Sequence, residues 1–179
     1  MSSADFIASI PKVELHCHLE GSIPAATFIE LAQAHGLTLP TTDPDHVYDF
    51  DSFLAFLDLY YLVCDAVREP ADFERAVYDS LGHAATNGHV VYREMFFSPT
   101  NHGTGADAIT YPAMVDALVS GIEAAEADFG IRGRLIAGIN RRHSPAVATE
   151  MVQGMLDHPS PYVIGIGLDD DEGIGRAHV

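Results

Sequence analysis

Four short strand-forming runs, each separated from the next by helical periodicity, constrain this chain more than any other feature of its sequence. Val13-Glu14-Leu15-His16-Cys17-His18 alternates and follows Pro11, and His89 to Phe97 is rich in β-branched and aromatic residues. Leu135-Ile136-Ala137-Gly138-Ile139 and Tyr162 to Leu168 are near-continuous apolar runs. Between them lie helical stretches: Pro24 to Gly36, a strongly apolar face from Asp51 to Cys64, Pro70 to Gly88, Pro112 to Ile122, and Ala146 to Leu156. Strands alternating with helices predict a parallel sheet covered by helices. The last two strands read as buried on both faces. An open doubly wound sheet and part of a (β/α)8 barrel both satisfy this order. No glycine-rich phosphate loop follows the first strand, where the turn reads Leu19-Glu20-Gly21-Ser22, and that favours the barrel.

Charge narrows the partners. Of 179 residues, 26 are acidic and 9 basic, a formal net charge of −17. Such a field repels nucleic acid and anionic bilayers, so neither is expected as a partner. No apolar run approaches the roughly 18 residues of a membrane span. The amino terminus lacks the basic and long apolar regions of a secretory signal, so a cytoplasmic location is expected. Cys17 and Cys64 form no disulfide framework and are expected to be free thiols.

His16-Cys17-His18 carries the most chemistry. Residues i and i+2 of a strand face one side, so both imidazoles project together and Cys17 points away. Two imidazoles on one face can chelate a cation, zinc most commonly, although a His-x-His strand alone equally fits a structural role. Its place at the end of the first strand, where parallel α/β folds build their sites, sharpens the reading. Other candidates have plainer explanations. His143 fits a hydrogen-bonded structural role better than a place at the mouth, and His102 fits a loop role. Phe53, Phe56, Tyr60 and Tyr61 share a helical face whose periodicity points to the core. Arg93 and Glu94 are expected to form a buried ion pair, and Asp169 to Glu172 a solvated acidic loop.

The run Pro11-Lys12-Val13-Glu14-Leu15-His16-Cys17-His18-Leu19-Glu20-Gly21-Ser22 resembles the opening motif of the adenosine deaminase family of metal-dependent amidohydrolases. Later segments follow in matching order. Tyr92 to Pro99 is similar to the second-strand motif, Ile139-Asn140-Arg141-Arg142-His143 to the third strand end, and Val163 to Asp169 with Glu172 to the fourth. The resemblance implies a (β/α)8 TIM barrel that binds one Zn2+ at its carboxy-terminal mouth and hydrolytically deaminates a 6-aminopurine, adenosine to inosine or adenine to hypoxanthine. It implies His16 and His18 as zinc ligands, and His18, Glu20 and Asp170 as substrate-side residues. Two departures bear on specificity. Many nucleoside-specific members carry Asp where this chain has Glu20, and Gly where it has Asp170. The longer acid at 20 leaves less room for ribose, which favours a free base or another modified purine.

A complete barrel needs eight strand–helix units and about 250 residues, whereas residues 1–179 supply about four units. The third zinc ligand, the proton-donating Glu and the later His and Asp of the family have no counterpart, and His178 sits in an unrelated context. The chain is therefore expected to be an amino-terminal half-barrel with no identifiable catalytic residue, inactive on its own. The alternatives are a half that self-associates or pairs with a second chain, and a remnant that only binds a partner or a purine.

Overall fold

The computed structural model describes residues 2–102 and 108–170. Strands β1 (Lys12–His18), β2 (Val90–Phe97), β3 (Arg132–Asn140) and β4 (Val163–Asp169) form one sheet in the order β1-β2-β3-β4, with every neighbouring pair parallel. A doubly wound sheet reverses its order at a switch point; here each strand lies beside its predecessor, as consecutive units of a barrel do. The chain is the α/β, four-unit portion of such a barrel that the sequence predicts.

The helices are α1 (Ser3–Ser9), α2 (Ala25–Ala34), α3 (Phe53–Ala66), α4 (Pro70–Gly88), α5 (Tyr111–Phe129) and α6 (Pro145–Asp157). Their starts follow local chemistry. Ser52, Thr110 and Ser144 each accept a backbone N–H two or three residues into the helix, and Pro fills an early position of α4, α5 and α6. Helix α1 is too short to show periodicity in the sequence. A reciprocal Ser2–Asp5 capping box holds it.

The core lies between the outer face of the sheet and α4 and α5. Phe73, Val77 and Leu81 from α4 and Met114, Leu118 and Ile122 from α5 meet Met95 and Phe97 of β2 and Leu135 and Ala137 of β3, all essentially inaccessible to solvent. Arg93 also points to this side, because alternation sends it and Glu94 to opposite faces. The expected Arg93–Glu94 pair is therefore replaced. Arg93 Nε lies 2.5 Å from Glu14 Oε2 and its Nη1 donates to Ser80 Oγ at 2.9 Å. Glu94 instead accepts from Tyr92 Oη at 2.8 Å.

Strands β1 and β4 each have one neighbour in the sheet among the described residues. On β4, Ile164, Ile166 and Leu168 remain 49%, 50% and 59% exposed. An exposed strand edge carrying apolar side chains templates association. Ile166→Lys is expected to reduce concentration-dependent self-association of the chain in light scattering while leaving its melting temperature within a few degrees. Equal association in the variant and parent would show that this edge is not the contact.

Candidate active site at the carboxy-terminal ends of the strands

His18, Ser98, Asn140 and Asp169 sit at or just beyond the carboxy-terminal ends of β1 to β4. The pairing of β1 with β2 shifts register between Glu14 and Cys17. Glu14 pairs beside Arg93 on the helix side, whereas His18 pairs beside Phe96 on the inner side. The shift thus lets the strand carry an outward acid and inward histidines. The two rings lie 5.7 Å apart between centroids, and both stack on Phe96, at 4.5 Å for His16 and 5.3 Å for His18.

Two glycines make the room. A Cβ on Gly167 would stand 2.5 Å from the Phe96 ring, and one on Gly138 would stand 1.8 Å from Asp169 Oδ2. A strand glycine often marks such a close approach, and that signal in Gly138 and Gly167 passes unread when the runs are taken only as apolar strands.

A cleft of about 210 Å3 opens beside His18. Its apolar wall is one face of α3, namely Phe53, Phe56, Leu57, Tyr60 and Tyr61, and its polar groups are Asn101, Asn140, Asp169 and Asp170. The aromatic face expected in the core is therefore the wall of the cleft, and Phe53 at 60% exposure is plainly outside the core. Tyr61 is bound into the mouth: its hydroxyl donates to Asp170 and accepts from Asn140 Nδ2 at 3.2 Å, while the Arg142 guanidinium lies over its ring. Arg142 Nε also pairs with Asp170 Oδ2 at 3.0 Å.

The acidic run that begins at the last residue of β4 departs from the expected solvated loop at its start. Asp169 is buried and accepts from Ser98 Oγ at 2.9 Å, and the side chain of Asp170 is almost fully covered. Burial pushes the Asp169 carboxyl above its ordinary range, partly opposed by Ser98 and His18. Asp170 adopts φ 75°, the left-handed region that favours glycine. Asp171, Glu172 and His178 lie outside the described residues.

Glu20 is 2% exposed and lies beneath the cleft rather than in its lining. Its Oε1 accepts from the Ser98 N–H at 2.8 Å and faces His102 Nε2 at 3.0 Å, and its Oε2 accepts from Tyr60 Oη at 3.1 Å. His102 Nδ1 faces the carbonyls of Cys64 and Val67 at 3.1 and 3.0 Å, so that nitrogen is a donor. Burial pushes Glu20 up, yet His102 and the Ser98 N–H outweigh it and hold the carboxyl below its usual value. Burial and the Glu20 charge push the Tyr60 hydroxyl far up, so it remains a donor.

Two groups could be considered for a metal. Glu20, Cys64 and His102 present ligand atoms within 4.8 Å of one another. The first and last are already committed to hydrogen bonds, and burial raises the Cys64 thiol well above its ordinary value, which keeps its proton on. That cluster is a hydrogen-bonded knot. His16 and His18 differ: no hydrogen-bond partner engages either ring among the described residues, and both face the cleft side of the sheet. No third ligand joins them within the same reach among those residues. The pair fits zinc as part of a ligand set, since catalytic zinc usually holds three protein ligands.

Residues 11–179 match the model of the family described as adenosine deaminase. The chain belongs to the adenosine deaminase family. An adenine deaminase of Rhodospirillum rubrum is 35% identical over 170 residues, which span 93% of this chain and 50% of that protein. Among solved structures, an amidohydrolase from Burkholderia ambifaria with bound Zn is 32% identical, with a TM-score of 0.84 over 96% of this chain and 48% of that one. Arabidopsis ADAL complexed with IMP is 27% identical, with a TM-score of 0.77 over 96% of this chain and 53% of that one. The chain thus spans about half the length of the family members it matches.

The Ser98–Asp169 contact depends on Gly138. Gly138→Ala is expected to displace the Asp169 carboxylate and to lower stability by about 1–3 kcal/mol, the range for overpacking and for a broken buried hydrogen bond. Urea denaturation measures it, and a change under a few tenths would show that Asp169 does not need this space.

Proposed function

We propose that this chain forms the amino-terminal half of the active site of a zinc-dependent hydrolase that removes the 6-amino group of adenine. The observation that carries the reading is the pair of unengaged imidazoles, His16 and His18, beside a cleft walled by aromatic rings. A planar purine stacks against such a wall. Asn101, Asn140, Asp169 and Asp170 offer hydrogen-bonding groups to its edge nitrogens. Helix α3 closes one side of the cleft and keeps bulk water from the base.

His16 and His18 would hold the zinc, with further ligands from outside the described residues. When bound, zinc supplies Lewis acidity that makes hydroxide available near neutral pH. Adenine and water then give hypoxanthine and ammonia. The proton to the leaving amine is assigned to an acid outside the described residues, and the chain alone is expected to bind purine without turning it over. The free base is favoured by the 35% identity to an adenine deaminase. The extra methylene of Glu20 is not the reason, since its carboxylate is spent on His102, Ser98 and Tyr60.

The test is ammonia release from adenine, adenosine and AMP. It compares the 179-residue chain with a protein that carries it together with the sequence following residue 179 in its reading frame. The longer protein is expected to turn over adenine fastest, the chain alone not at all, and His18→Ala to cost the longer protein at least ~100-fold, the upper end for losing an outer-shell partner. Absence of deamination of all three purines by the longer protein would overturn the reading.

A further inference from the structure

Helix α3 supplies the whole apolar wall of the cleft, so whatever fixes α3 fixes the shape of the site. The last carbonyls of a helix have no partner within it. At the end of α3 the Cys64 carbonyl, which also accepts from the Val67 N–H at 3.2 Å, and the carbonyl of the capping residue Val67 are both met by one side chain, His102 Nδ1. The other ring nitrogen faces Glu20 Oε1. Phe73 of α4 packs edge-on against the ring at 4.7 Å, which fixes its plane. The imidazole is 1% exposed, so water has no access to replace either contact. Glu20 grips α3 a second time through Tyr60, whose hydroxyl also meets Ser98 Oγ at 3.2 Å.

We propose that His102 is a positioning residue for the cleft: its two ring nitrogens tie the carboxy-terminal end of α3 to Glu20 and so set where the aromatic wall stands. His102 has no part in the lining itself. It acts through Tyr60 and Tyr61, which share the helix it anchors. The consequence for substrate rests on the adenine reading, whereas the anchor itself does not.

The experiment follows hydrogen–deuterium exchange across the full 179-residue chain. His102→Asn keeps an amide near Nδ1 and loses the reach to Glu20. His102→Gln keeps the reach and loses the short donor to the two carbonyls. Val77→Ala, in the α4 core, is the control for general destabilisation. Both His102 variants are expected to speed exchange of amides 60–67 at least tenfold while β2 and β3 stay within twofold of the parent. Val77→Ala is expected to speed β2 and β3 as much as α3. Should the His102 variants not fold, Glu20→Gln, which keeps the shape of the knot, is expected to show the same local pattern at smaller amplitude. Exchange that rises uniformly, or that leaves 60–67 unchanged, would overturn the proposal. Adenine affinity measured in parallel is expected to fall in the His102 variants and hold in Val77→Ala. A parent chain that binds no adenine would count against the adenine reading, and the exchange data would still decide the anchor.

Discussion

A carboxylate removed from water must find partners for both oxygens, because an unmet buried charge costs several kcal/mol. Glu20 meets that demand with groups from three other parts of the chain: Ser98 after β2, Tyr60 on α3 and His102 beyond the turn that follows Ser98. Satisfying one acid therefore brings the ends of β1 and β2, the cleft-lining helix and the loop after β2 to one place. Ser98 extends the network to Asp169 at the end of β4. The strand ends are held by a buried polar network, and the apolar wall of the cleft is mounted on it.

The site shows a division of labour between similar side chains. Glu20 and His102 are fully covered and spend their hydrogen-bonding capacity on each other and on the backbone. His16 and His18 stack on Phe96 with their ring nitrogens unengaged among the described residues. A metal ligand must be the second kind of histidine, and a cleft of defined shape needs the first. Membership of the adenosine deaminase family is consistent with both.

Much of this was legible in the sequence. The alternation of strands and helices, the shared direction of His16 and His18, and the family motif along the chain all depend on local spacing, which the sequence displays directly. What escaped depends on distant partners. The face of α3 has the same periodicity whether it meets a core or a cleft, and only the strand ends across from it decide. Arg93 reads as a partner of Glu94 by adjacency, but its partner Glu14 is set by strand pairing. Glu20 reads as a substrate contact because nothing nearby in sequence announces His102. Gly138 and Gly167 carried a usable hint, since glycine within a strand often marks a close approach.

The exposed apolar residues of β4, and Val13 and Leu15 of β1 at 61% and 58% exposure, lie where further strand–helix units of a barrel would pack. The proposed metal ligands are His16 and His18, and not the Glu20–Cys64–His102 knot. NMR of the chain labelled with 15N at histidine, titrated with zinc, tests this most directly. Shifts confined to the His16 and His18 ring nitrogens, with His102 unmoved, are the predicted result. A shift at His102 accompanied by loss of the Cys64 thiol proton, with His16 and His18 unchanged, would contradict it.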